Sequence, residues 1–269
     1  MAARLLRCGV SLAAWNRTRE KAEALRPLGA KVCATPAEVF AETDGAILML
    51  ADARAIEAVL FEPGVPLANR TVVQMGTIGP DQSVQVRDHV LQAGGRYLEA
   101  PVMGSIPQAE AGELIVMVGA DEPLDERWRD LLSKLGPVVE VGAVGSAATL
   151  KLALNHLIGV HSAAFATSLG LVRRAGVEVD LFMQVLRRTN LYAPVFDKKL
   201  PSMLAREFQN PHFPTRLLRK DLQLFCDAAE RHGVRPVVAT AVVRLLEEAV
   251  QAGLADCDYA ALCEVVDPR

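Results

Sequence analysis

The apolar positions along this chain change rhythm once, near residue 142. Before that point, short apolar runs of strand length recur at 10–15, 31–34, 45–50, 71–75, 96–100, 114–119 and 138–142. Helix-period patterns lie around and between them, near 1–7, 19–27, 36–42, 53–60, 80–93 and 122–135, with Gly9 stopping the first. Strands alternating with helices predict βαβ units, a mostly parallel sheet and right-handed crossovers. From Gly145 onward no strand pattern is found. Helical runs cover about 145–175, 179–188, 194–204, 214–232 and 236–252, punctuated by Gly176, Pro194, Pro211, Pro214, Gly233 and Pro236. The predicted organisation is an α/β domain over 1–142, then an all-α domain over 143–269 that opens with a long buried helix.

That helix needs a membrane check. Leu152–Val172 carries no Asp, Glu, Lys or Arg, and its length would span a bilayer. Asn155, His156, His161, Ser162, Thr167 and Ser168 lie inside it, so it reads as the central helix of an aqueous domain. Composition agrees: about half of the 269 residues are hydrophobic and few are aromatic, enough for a large aliphatic core. A net charge of −3, with both signs mixed, offers no footprint for nucleic acid or an anionic membrane. Cys8, Cys33, Cys226, Cys257 and Cys263 are scattered, as reduced cytoplasmic thiols are, and neither they nor the five histidines show metal-ligand spacing. The first residues show no signal-peptide pattern.

Ligands of open α/β sheets bind beyond the carboxyl ends of the strands, here the loops 15–18, 50–54, 75–80 and 100–107. In the first, Asn16, Arg17 and Thr18 could receive a ribose phosphate, or simply form a solvated turn before a helix. In 99–114, Pro101 and Pro107 stiffen the chain while Gly104 and Gly112 permit close approach. Its backbone N–H groups and Ser105 could hold a small carboxylate, with a structural turn equally well supported. Lys151 and Asn155 are i, i+4 neighbours on the apolar helix. Desolvation there would lower the lysine's pKa and suit it to acid–base work, against the alternative of a lysine that snorkels to water. Lys220 and Asp221, within an amphipathic helix, read by themselves as a solvated charged pair.

In this order the four segments resemble the β-hydroxyacid dehydrogenases: 3-hydroxyisobutyrate dehydrogenase, tartronate semialdehyde reductase and the glyoxylate/succinic semialdehyde reductases. The substrate segment, an acid followed by A-P-V-S-G-G/S, is matched by "EAPVMGS", the catalytic glycine and K-x-x-x-N by Gly145, Lys151 and Asn155, and a late K-D-L by Lys220–Leu222. The resemblance implies a Rossmann-like α/β domain with an all-α C-terminal domain and an NADP cofactor, with NAD as the second candidate. It also implies a small-molecule substrate and a homodimer or homotetramer assembled through the all-α half. Cofactor contacts would come from Asn16, Arg17, Thr18, Leu50, Ala51, Asp52, Thr77, Phe213, Lys220 and Asp221. Substrate contacts would come from Met103, Gly104, Ser105 and Asn155, and Lys151 with Asn155 would be catalytic.

Two departures from the family pattern stand out. Met103 replaces the substrate-segment serine, which implies a less polar or differently shaped substrate. Family members also open with a strand and a G-x-G-x-x-G turn, whereas this sequence begins at the Met-Ala that follows them. The resemblance therefore implies an upstream segment of roughly ten to fifteen residues. Without it, 10–15 and 45–50 would show unpaired strand edges or close on each other. The N-terminal half would then be only marginally stable, and residues 1–269 alone would bind NADPH weakly. Two rival readings follow: a family member that binds no cofactor and does not catalyse, and an imine reductase-like enzyme. The retained Lys151 argues against the second.

Overall fold

The computed structural model describes residues 1–268 and divides into two compact units, Met1–Lys151 and Leu152–Arg269. The first unit runs α1 (Ala2–Arg7), β1 (Ala13–Ala14), α2 (Arg19–Glu23), β2 (Lys31–Val32), α3 (Pro36–Glu42), β3 (Gly45–Leu48), α4 (Ala53–Leu60) and β4 (Thr71–Gln74). It continues through α5 (Pro80–Gln92), β5 (Arg96–Glu99), β6 (Val102–Met103), α6 (Ile106–Ala111), β7 (Ile115–Gly119), α7 (Glu126–Ser133) and β8 (Val138–Gly142). The helix α8 (Ser146–Arg174) starts in this unit and continues into the second.

The main sheet has the order β3-β4-β5-β7-β6, with β8 also on β7. β3, β4 and β5 are parallel, as alternation with helices requires. β7 runs parallel to β8 but antiparallel to β5 and β6, so the sheet is mostly parallel, as expected, with an antiparallel member. The chain between β5 and β7 is broken into the two-residue β6, itself antiparallel to β7, and the six-residue α6, in place of a single crossover helix. The sequence pattern over 101–112 reads as a loop because Pro101, Gly104, Pro107 and Gly112 mask both short elements.

Helices cover both faces of this sheet, which is why β4 is buried at every position. Side chains of successive residues point to opposite faces. Val72 and Tyr97 enter a core with Phe40, Ile56 and Val86, whereas Val73 and Leu98 enter another with Leu5, Val116 and Leu132.

β1 and β2 form a separate parallel pair that joins neither of these cores through backbone pairing. Only Ala13–Ala14 is strand within the expected 10–15. Leu12 O and Ala14 O accept from Lys31 N and Cys33 N, and no ladder is present on the other side of β1 among the described residues. Of the two arrangements expected, 10–15 and 45–50 do not close on each other: among the described residues β1 pairs only with β2 and β3 only with β4.

The second unit contains the rest of α8, then α9 (Val179–Leu186), α10 (Pro194–Ala205), α11 (Thr215–Arg231), α12 (Val237–Ala249) and the short α13 (Cys263–Val266). Its core gathers Phe165, Leu169, Met183, Leu218, Leu222, Leu246 and Leu262. Gly159 lets α8 approach α11 closely, because a Cβ there would lie 2.8 Å from Leu222. Asp267 fastens the end of the chain with bonds from Arg174 (2.5 Å) and Arg206 (2.9 Å), which hold its carboxyl below the usual range. Among the described residues no helix is long and apolar enough to cross a membrane.

Candidate active site

Within the first unit, the expected substrate segment and the candidate lysine meet. Lys151, half-buried in the second turn of α8, places Nζ 3.3 Å from Sδ of Met103 at the end of β6. A thioether is only a weak acceptor, so the ammonium is not locked by this contact. Gly104 follows with φ +126°, and a Cβ there would lie 2.6 Å from the Leu114 side chain; backbone geometry and packing both require glycine. Ser105 begins α6, and its hydroxyl donates to Gln108 Oε1 at 2.8 Å. The Ser105 proton is thus already committed within its own turn.

The expected cofactor loops divide in character. Asn16 Oδ1 accepts from Thr18 N at 2.9 Å, a local turn that leaves Asn16, Arg17 and Thr18 exposed at the end of the β1 segment. Asp52 caps α4 by accepting from Ala55 N at 2.9 Å, while Leu50 and Ala51 lead into that cap. Thr77 lies half-buried after Gly76, whose N–H and carbonyl are both bonded by the side chain of buried Gln74. The loops after β3 and β4 touch at Gly76, since a Cβ there would strike the Leu50 carbonyl. Close backbone approach of this kind suits loops that line a planar ligand.

The second unit holds its own cluster. Asn155 is 1% exposed, and its Nδ2 donates to Asp221 Oδ2 at 2.7 Å. Asp221 is also buried and pairs with the half-buried Lys220 Nζ at 3.0 Å, so these two are not the solvated pair read from sequence alone. The carboxylate fixes the direction of the Asn155 amide, because only its NH₂ end can donate. Asn155 Oδ1 is then left buried with no hydrogen-bond partner. An orphaned acceptor of this kind is costly unless a ligand donor fills it. Phe213 packs edge-on against Tyr259, with ring centroids 5.7 Å apart.

In the first unit, exposed Asn16 and Arg17 have the donors that a ribose phosphate would take, and the close loops at Gly76 and Thr77 could line a planar ring. In the second unit, taken by itself, the Asn155 acceptor could receive a ligand donor. No G-x-G-x-x-G turn for the pyrophosphate occurs in the sequence.

Residues 1–145 match the family profile described as the NAD binding domain of 6-phosphogluconate dehydrogenase. Residues 145–266 match that described as NAD-binding of NADP-dependent 3-hydroxyisobutyrate dehydrogenase. Glyoxylate/succinic semialdehyde reductase 1 of Arabidopsis thaliana is 32% identical, over 99% of this chain and 93% of its own length. The chain belongs to the β-hydroxyacid dehydrogenase family. A crystal structure of 3-hydroxyisobutyrate dehydrogenase from Salmonella typhimurium shares the fold, with a TM-score of 0.88 at 24% identity over 98% of this chain and 94% of that one. The cytokine-like nuclear factor N-PAC of Aedes aegypti is 32% identical over 86% of this chain but only 42% of its own length.

For a β-hydroxyacid dehydrogenase the buried acid at the start of the substrate segment is the residue that sequence reasoning passed over. Glu99 is 1% exposed, and its carboxylate accepts from Ala148 N at 2.8 Å and Gly145 N at 3.0 Å. Burial pushes its carboxyl above the ordinary glutamate range, against the lowering effect of Ser83 and these backbone donors. The available signal was an acid at the end of a strand otherwise apolar on that face, with a glycine-led helix still awaiting its cap.

Proposed function

We propose that this β-hydroxyacid dehydrogenase is an NADP-dependent reductase that transfers hydride between nicotinamide and a small β-hydroxyacid or semialdehyde, with Lys151 as general acid and base. The observation that carries the reading is the approach of Lys151 Nζ to the substrate segment at Met103. A bound nicotinamide supplies the hydride chemistry, and the chain's own residues supply position and a proton. In reduction, Lys151 gives a proton from Nζ to the carbonyl oxygen as the carbon accepts hydride, and in oxidation it takes that proton back. Asn155, its amide held by Asp221, offers Oδ1 to a donor on the substrate or the ring. Gly104 and Ser105 take the substrate's acid group once the bonds of Ser105 to Gln108 are exchanged for it, and Met103 replaces a hydroxyl contact with a polarisable apolar one. Arg17, with Asn16 and Thr18, selects the 2′-phosphate of NADP. Leu50, Ala51, Asp52, Thr77, Phe213, Lys220 and Asp221 complete the cofactor's surroundings.

The exposed Leu171, Leu181, Val185 and Leu191 of the second unit support assembly as a homodimer, which light scattering in solution tests. The free cysteines support a cytoplasmic setting. A second reading is a family member that keeps the fold without turnover. A panel of succinic semialdehyde, glyoxylate and cyclic imines, each with NADPH and NADH, separates the readings. Reduction of the semialdehydes with NADPH is expected. Imine reduction alone, or no turnover with any pair, contradicts the proposal.

A further inference from the structure

We propose that Glu99 is a positioning residue for the reaction: its buried carboxylate neutralises the N-terminus of α8 and thereby sets the position and proton affinity of Lys151. The inference rests on the reading of Lys151 as the acid and base, and it stands on geometry within the first unit alone. Glu99 ends β5, on the same face of the strand as Tyr97, whose hydroxyl lies 2.8 Å from Ser83 Oγ on α5. From there the carboxylate reaches two amides at the start of α8, with both oxygens used and both bonds near ideal length. Glycine is needed opposite, because a Cβ on Gly119 would lie 2.8 Å from Glu99 Oε1.

The first amides of any helix lack intrahelical partners and carry the positive end of its dipole. In a 29-residue helix that terminus is fully developed, and here Gly145, Ala147 and Ala148 are buried or nearly so. A buried anion is costly by itself. Its retention at this place is explained when it serves both the amides and the charge that follows them. Lys151 is three residues beyond Ala148, so its backbone is fixed by the turn that Glu99 holds. An uncompensated helix N-terminus would disfavour a nearby ammonium, and the carboxylate removes that effect. Glu99 thus acts on the lysine through the helix, without touching substrate or cofactor.

The test compares Glu99→Gln and Glu99→Asp with the parent chain. The reactivity of Lys151 toward an acylating reagent is followed against pH by mass spectrometry, alongside the pH profile of semialdehyde reduction. Glu99→Gln keeps the shape and loses the charge. Its Lys151 reactivity curve, and the alkaline limb of its reduction rate, should move down by about 0.2–0.7 pH units, the size of a helix-terminus charge effect. Glu99→Asp keeps the charge and should restore both curves to within half of that displacement. A Glu99→Gln curve coincident with the parent's overturns the proposal, whatever the change in melting temperature, since a purely structural cap would lower stability and leave the lysine unmoved. Equal displacement in both variants overturns it as well. Should Glu99→Gln fail to fold, Glu99→Ser, which also removes the charge, takes its place: a curve displaced downward upholds the proposal, and one coincident with the parent's overturns it. Because labelling needs no turnover, a Lys151 without catalytic role would be detected separately, as an intact rate after its replacement.

Discussion

At the end of β1 and at the end of β5 the first unit presents candidate site residues on foundations of different depth. Arg17 follows a two-residue strand paired on one edge, flanked by the short α2, and it is exposed with its neighbours. Met103 and Lys151 follow strands and a helix rooted in buried residues, with Ala100 and Ala147 fully enclosed and Glu99 joining the two segments. The difference teaches where specificity can change cheaply. The exposed turn after β1 can be rewritten by substitution with little cost to folding, whereas Met103 and Lys151 are bound to the core, so changes there disturb the packing around them as well.

The contrast can be broken in several ways, and the largest effect is expected at the lysine. Lys151→Ala should lower the turnover number by about 10²–10⁴-fold, the range of a lost general acid, with the fold retained. A variant with near-parental turnover would remove Lys151 from the chemistry.

Next come the cores. Leu132→Ala, at a fully buried position on α7, should cost about 2–5 kcal/mol in denaturant unfolding. Leu12→Ala, partly buried beside β1, should cost about 1 kcal/mol or less. Equal costs would show that the β1–β2 pair is as deeply anchored as the main sheet.

At the ribose end, Arg17→Asp should shift the ratio of kcat/KM for NADPH and NADH by about tenfold toward NADH, through repulsion of the 2′-phosphate and loss of a charged donor. Its melting temperature should stay put, and an unchanged ratio would place the cofactor's phosphate elsewhere.

The last effect, on stability, is expected at Asp52. Asp52→Ala removes the α4 cap and should cost about 0.5–2 kcal/mol of stability. Comparison of NADPH affinity in the same variant then distinguishes a capping role from a cofactor contact.

Most of the element order was legible because strand and helix periods differ so plainly. Pro36–Glu42 and Ala53–Leu60 form where capping residues Thr35 and Asp52 precede apolar-periodic runs. The chain from 101 to 112 was not legible, since its strand is two residues long and its helix has a proline near its start and a glycine at its end. The antiparallel course of β7 followed from the same short elements. Of the site, Lys151 was visible as a lysine on an apolar helix, but its meeting with Met103 depends on tertiary placement that no spacing encodes. The pairing of Asn155 with Asp221 spans 66 positions, and that of Glu99 with Ala148 spans 49. Contacts at such separations leave only indirect traces: polar residues where the period calls for apolar ones.

The central claim is that this chain moves hydride between nicotinamide and a small carbonyl acid. NADPH deuterated at the transferable position of nicotinamide C4, incubated with succinic semialdehyde and the protein, tests it directly by mass spectrometry of the product. The account predicts one deuterium on the carbinol carbon, formed in step with NADPH consumption and largely lost in Lys151→Ala. A product without deuterium, or the same labelled product from Lys151→Ala at the parental rate, would contradict it.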